Sequence, residues 1–253
     1  WAAPEPGGAL VAPLAPPIVE KIILRPVAID ARGAARHIID FGQNFAGRVR
    51  MRIRGQGGQV VQVRHAEILD EAGDLDVRNL RAAEATDVYT LADDAEVVLE
   101  PRFTYQGFRY AEVLGLETLS MDQVEGVVLS SDLVETGVFE IGQPVIQQLW
   151  RNTLWSQRSN FLGVPIDCPQ RDERLGWTGD AQIFWDTAAF NMDVLAFTRS
   201  YMREIRGAQL PAGPFPIWAP QARLQHPMVQ TPLPGWADAG VELPYVAYLH
   251  SGD

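Results

Sequence analysis

One cysteine, one lysine and four histidines serve all 253 residues, and each scarcity removes a class of chemistry. A lone Cys168 excludes an intramolecular disulfide framework and any zinc site built on clustered thiolates, and it leaves the compartment open. The histidines are scattered without HxH or HxxxH spacing, so no metal site is expected. No apolar run approaches the ~18–20 uninterrupted residues of a membrane helix. There is no charged segment followed by an apolar one at the start, and the first residue is Trp1 rather than Met, so the parent's N-terminus and any signal on it are expected further upstream. Positive charge is also short, with 21 Lys and Arg against 32 Asp and Glu and a formal net charge of −11. A surface this acidic repels phosphate backbones and anionic lipid, which argues against nucleic-acid and membrane partners. Lys21 is the only lysine, so the remaining basic residues are all arginine; that fits GC-rich coding and is only weak support for thermal adaptation.

Hydrophobic residues at 47% and charged residues at 21% describe a globular chain. Residues 1–20, rich in Pro, Ala and Gly, read as an irregular linker from an upstream domain. From 21 to 134 the period is two. Val49, Met51 and Ile53 alternate with four arginines over 48–54, a strand with one wet face. Gly55-Gln56-Gly57-Gly58 reads as a hairpin turn rather than a phosphate loop, because no helix pattern follows. Further strands are expected near 60–63, 88–91, 97–99, 108–113 and 124–129, together an antiparallel β-sandwich. Near Thr136 the period becomes helical. Helices are expected from Pro144 onward, over 180–190, over 194–209 and over 237–249, in a domain spanning 135–253. The intervening 211–234 holds too many prolines for regular structure.

The densest polar segment is Asp167-Cys168-Pro169-Gln170-Arg171-Asp172-Glu173-Arg174-Leu175-Gly176-Trp177-Thr178-Gly179-Asp180. Four acids with interleaved arginines can hold different pKa values, and the flat face of Trp177 suits the C–H face of a sugar ring. On composition alone the segment reads equally as a capped connector between two helices, its arginines solvating the surface.

The order of these residues resembles the signature of bacterial α-L-rhamnosidases, inverting glycoside hydrolases of the six-hairpin (α/α)6-barrel class. The resemblance extends to Ile39-Asp40-Phe41-Gly42-Gln43-Asn44-Phe45-Ala46-Gly47, to Arg64-His65-Ala66-Glu67, and to Phe103-Thr104-Tyr105-Gln106-Gly107-Phe108-Arg109-Tyr110. Asn160-Phe161-Leu162 and Gly235-Trp236-Ala237-Asp238-Ala239 also match, so it covers roughly residues 20–253. It implies a β-sandwich followed by the first part of an (α/α)6 barrel, acting on rhamnose-containing glycosides without a cofactor. It further implies Glu173 as the general acid that protonates the glycosidic oxygen. Asp167, Arg171 and Asp180 would bind rhamnose hydroxyls and Trp177 would wall the subsite, with Trp236 and Asp238 lining the same pocket. A leaving-group acid must hold its proton near neutral pH, so Glu173 is expected to have a raised pKa, through the charges of Asp167, Asp172 and Asp180 and through desolvation by Trp177.

Inversion needs a second carboxylate roughly 6.5–9.5 Å from the acid. In the family it is a Glu beyond the last residue here, and the helical region is too short for a whole barrel. The sequence therefore reads as an internal fragment, expected to be inactive by itself, of a hydrolase releasing terminal α-L-rhamnose. The alternative is a non-catalytic carbohydrate-binding or structural remnant. His65 is expected to serve a structural hydrogen bond, Cys168 to be buried packing, and Asp70, Asp74 and Asp76 to form a solvated acidic turn.

Overall fold

Alternation over 48–54 becomes the second half of one long strand around which the β domain is built. The computed structural model describes residues 11–221 and 232–253, so the first half of the expected linker and much of the proline-rich segment lie outside the described residues. The strands are β1 (Ile18–Leu24), β2 (Ala28–Ala31), β3 (Arg36–Arg54), β4 (Val60–Ala66), β5 (Ile68–Leu69), β6 (Leu75–Asp76), β7 (Thr86–Thr90), β8 (Glu96–Leu99), β9 (Gln106–Leu114) and β10 (Val124–Ser131). Eight of them form a single curled antiparallel sheet in the order β1-β10-β3-β9-β4-β7, with β2 and β8 also paired to β3. Strand β1 begins at Ile18, inside the stretch expected to be irregular.

The two layers implied by a sandwich are continuous because β3 is shared. Residues 37–40 pair with β2, residues 47–51 with β10, and residues 51–54 with β8, while β9 runs beside 36–47. The 55–58 turn is present, but it is not a hairpin: β4 pairs with β9 and β7, and β9 separates it from β3. Inward residues Ile39, Phe41, Phe45, Val49, Met51, Phe108, Val113 and Val128 form one core. The outward arginines of β3 are laced to acids. Arg48 and Arg50 both reach Glu20 and Glu100, a partly buried network in which only Glu20 is exposed.

A helical part follows, of four helices among the described residues: α1 (Pro144–Asn160), α2 (Thr178–Asn191), α3 (Leu195–Gly207) and α4 (Ala239–Ser251). Pro144 sits in the first turn of α1, where its missing N–H costs nothing. Helix α3 buries Phe197, Tyr201 and Ile205 at four-residue spacing against Trp185 of α2. The Trp185 indole donates to Thr198 Oγ1 at 3.0 Å, so its polar atom is satisfied inside the core. Between α1 and α2, a short hairpin of β11 (Phe161–Leu162) and β12 (Val164–Pro165) leads into the acidic segment. Leu162 and Ile166 pack with Ala46, Val127 and Leu129 of the sheet, so the acidic segment is seated directly on the β domain.

His65 is buried and Nδ1 lies 2.9 Å from the Ala85 carbonyl. Asp70 Oδ1 accepts the Ala72 and Asp74 amides, Asp74 accepts Arg36, and Asp76 accepts Arg78, so each acid of that turn is engaged by the protein.

Candidate active site

The acidic segment is a loop closed at its neck. The Asp167 amide donates to the Leu175 carbonyl at 3.1 Å, and the Leu175 amide returns a bond to Asp167 Oδ1 at 2.9 Å. Its outer side lies against the first residues of β9, where Gly107 has no side chain. A Cβ there would come 2.8 Å from the Gln170 amide nitrogen and 2.9 Å from Pro169, so only glycine admits this approach. Beyond the neck, Gly176 is held by the Tyr201 hydroxyl at 2.7 Å and by the Ala219 amide at 3.0 Å. Trp177 bridges to Trp218, their rings edge to face at 5.0 Å.

Four of the expected site residues form one hydrogen-bonded cluster. Arg171 reaches Glu173 Oε2 at 3.1 Å and Asp167 Oδ2 at 3.4 Å, bridging two carboxylates. The Trp177 indole N–H donates to Glu173 Oε1 at 3.0 Å. Asp180, in the first turn of α2, completes the arrangement from the helix side. With Asp167 it lines a cavity of about 150 Å³, shared with Asn160, Phe161 and Phe184. Among the described residues Asn160 Oδ1 is buried there without a hydrogen-bond partner, an acceptor open to a hydroxyl. A second, more polar cleft of about 460 Å³ runs from Asp167 and Arg171 toward Gln43, Asn44 and Glu67 of the β domain.

Trp236 packs its indole against the backbone of Gly179, next to Asp180, and stays partly exposed. Asp238 is exposed and accepts the Gly235 amide at 2.8 Å, closing its own turn rather than joining the cluster.

The electrostatics differ from the sequence expectation at Glu173. Its partial burial raises the pKa, but the Trp177 N–H, Arg171 and Arg81 together pull it below the ordinary carboxylate value. Trp177 thus acts through its polar edge, as a donor to the ionised form, and not by covering the carboxyl with an apolar face. The raised carboxyl is Asp180, through partial burial and the nearby charges of Asp167 and Glu173. Cys168 is buried and hydrogen-bonds Asp167 Oδ2 at 2.8 Å; burial and that bond push its thiol up to about 11, which leaves it unreactive. Asp167, Cys168 and Glu173 bring ligating atoms within 4.8 Å of one another, and the Arg171 guanidinium already bridges the two carboxylates.

Sequence reasoning missed Arg81, which reaches Glu173 Oε2 at 2.9 Å from the β domain across 92 residues of sequence. It also missed Arg174, whose guanidinium lies 4.4 Å from the centre of the Tyr105 ring and pins the loop to the sheet. Neither has a local signal, since each partner comes from the other part of the chain.

The family model for the bacterial alpha-L-rhamnosidase concanavalin-like domain matches residues 31–130, and that for the bacterial alpha-L-rhamnosidase 6 hairpin glycosidase domain matches residues 134–253. The second match fits the four helices as part of a helical barrel. Among curated proteins, an alpha-L-rhamnosidase of Streptomyces avermitilis is 43% identical over 217 residues, covering 85% of this chain and 21% of that one. One from Formosa agariphila is 37% identical over 239 residues, covering 93% and 25%. The solved Streptomyces avermitilis alpha-L-rhamnosidase complexed with L-rhamnose superposes with a TM-score of 0.92 at 40% identity, over 96% of this chain and 23% of that one. The native enzyme from Aspergillus terreus gives a TM-score of 0.89 at 38% identity, over 96% and 28%. The chain spans about a fifth to a quarter of the length of the curated relatives it matches.

Proposed function

The chain belongs to the bacterial alpha-L-rhamnosidase family, and on that premise we propose that it supplies the acid half of a glycoside hydrolase site that releases terminal α-L-rhamnose with inversion. The observation that carries this reading is the convergence of Asp167, Arg171, Glu173 and Trp177 in one hydrogen-bonded cluster beside the Asp180 cavity. Rhamnose hydroxyls would take hydrogen bonds from Arg171 and give them to Asp167, Asp180 and the free Oδ1 of Asn160. Trp236, beside Asp180, would border the same pocket, and Asp238 would act there only by holding the turn that carries Trp236.

Glu173 would protonate the glycosidic oxygen as its bond to the anomeric carbon breaks. Water, activated by a carboxylate from elsewhere in the full-length protein, would attack the opposite face. In the resting site Glu173 is held ionised by its three donors. The role therefore requires that sugar hydroxyls draw Arg171 away on binding and exclude water, both of which return the carboxyl pKa toward its protonated range. A second assignment has its own observation: Asp180 is the carboxyl whose pKa is already raised.

Glu173→Gln and Asp180→Asn in the full-length protein separate the two. With Glu173 as the acid, Glu173→Gln loses about 10²–10⁴-fold on alkyl rhamnosides and much less on an activated aryl rhamnoside, which needs no protonation. Asp180→Asn then loses activity on both alike. The reverse pattern would make Asp180 the acid, and full activity in both variants would remove the catalytic reading.

A further inference from the structure

Arg81 occupies a backbone position that an arginine adopts only under constraint. It follows a 3-10 turn at Arg78–Leu80 and has φ 58° and ψ −116°, a left-handed conformation costly for a residue with a Cβ. Three contacts hold it there. Leu80 is buried, the Ala83 amide bonds the Leu80 carbonyl at 3.1 Å, and the Ala82 amide donates to Asp172 Oδ2 at 3.3 Å. The result is a β-domain turn docked on the acidic loop with its guanidinium 2.9 Å from Glu173 Oε2.

Glu173 then has unequal oxygens. Oε2 accepts from both Arg81 and Arg171, while among the described residues Oε1 accepts only the Trp177 indole. A carboxyl proton has room on Oε1 alone. We propose that Arg81 is a positioning residue contributed by the β domain to the catalytic site, locking Glu173 through Oε2 so that Oε1 is the atom that carries the proton to the leaving group. This rests on the reading of Glu173 as the general acid. It also gives the β domain a part in catalysis, where the helical domain alone would lack one donor to its own acid. The charged groups facing Glu173 are Arg81 from the β domain, Arg171 and Asp167 from the loop, and Asp180 from α2, with the neutral Cys168 thiol beside Asp167.

The test is kcat/KM against pH for the full-length protein and its Arg81→Ala and Arg81→Lys variants, on an alkyl and an activated aryl rhamnoside. A general acid sets the alkaline limb. Loss of a cation at hydrogen-bond distance raises a carboxyl pKa. Arg81→Ala should therefore move the alkaline limb to higher pH and lower kcat on the alkyl substrate about tenfold, sparing the aryl one. Arg81→Lys, which keeps the charge, should restore most of the limb position. Alkaline limbs that coincide in all three proteins, or equal loss on both substrates, would overturn the proposal, and a structural role alone would give that result. Glu173→Gln run in parallel separates the two failures: if it keeps full activity on the alkyl substrate, the acid assignment falls and the Arg81 role with it. If it loses that activity while the Arg81 variants leave the limb in place, only the Arg81 role falls.

Discussion

The Trp177 indole nitrogen lies 3.0 Å from Glu173 Oε1, so the residue proposed as a wall of the sugar subsite supplies a donor to the carboxyl beside it. The bond favours the ionised form of Glu173, and its loss has a definite sign. In the full-length protein Trp177→Phe keeps an aromatic face and removes only the N–H, so the Glu173 pKa should rise and the alkaline limb of kcat/KM should move to higher pH. The binding contribution of the ring should be largely kept, leaving KM within about threefold. A limb that moves down, or a KM that rises far more than kcat falls, would show that the indole serves the sugar and not the carboxyl.

Gly107 and Gln170 make a second prediction, concerning placement rather than charge. A Cβ at residue 107 would meet backbone at 2.8 Å, and backbone cannot swing aside as a side chain can. Gly107→Ala should lift the acidic loop off β9, costing about 1–3 kcal/mol of stability as overpacking does. Because the loop carries Asp167, Arg171 and Glu173, the activity of the full-length protein should fall about tenfold or more, even where the variant is still folded at the assay temperature. Unchanged turnover together with an unchanged unfolding midpoint would show that the loop tolerates displacement.

How far the sequence reveals this molecule depends on how local each cause is. Residues 48–54 are legible because one face is wet and the other buried, so alternation appears in the letters themselves. The first half of β3 is not: Ile38, Ile39 and the neighbouring His37 are all buried, and period two disappears where both faces are covered. The 55–58 turn looks like a hairpin, yet β9, some fifty residues later, takes the place beside β3, and pairing at that range leaves no periodic trace. At the site, the acidic loop is conspicuous in composition and its four central residues do converge. The charge state of Glu173 was not legible, because it depends on Arg81 from another domain and on which edge of Trp177 faces the carboxyl.

The last prediction concerns His65 and the acid stability of the β domain. Its ring is buried against Phe108, Nδ1 lies 2.9 Å from the Ala85 carbonyl, and Nε2 has no hydrogen-bond partner among the described residues, with Asp87 Oδ2 3.9 Å away. Burial lowers its pKa to about 4, against 6.5 for a free side chain. Above pH 6.5 the folded and unfolded chains both carry it neutral, and it contributes no pH dependence. As pH falls from 6.5 toward 4 the unfolded chain binds a proton that the folded chain refuses, so stability declines with falling pH. The difference of about 2.5 units corresponds to about 3 kcal/mol lost across that window, and below pH 4 this contribution levels off. His65→Phe keeps a ring against Phe108 and cannot titrate. The Ala85 carbonyl stays satisfied in the variant by the backbone amide of residue 65 at 3.1 Å. Urea unfolding midpoints measured from pH 7.5 to 4.5 should therefore fall more steeply for the parent than for His65→Phe, with the curves parallel above pH 6.5. Curves that remain parallel down to pH 4.5 would mean that the buried ring accepts its proton without opening the sheet.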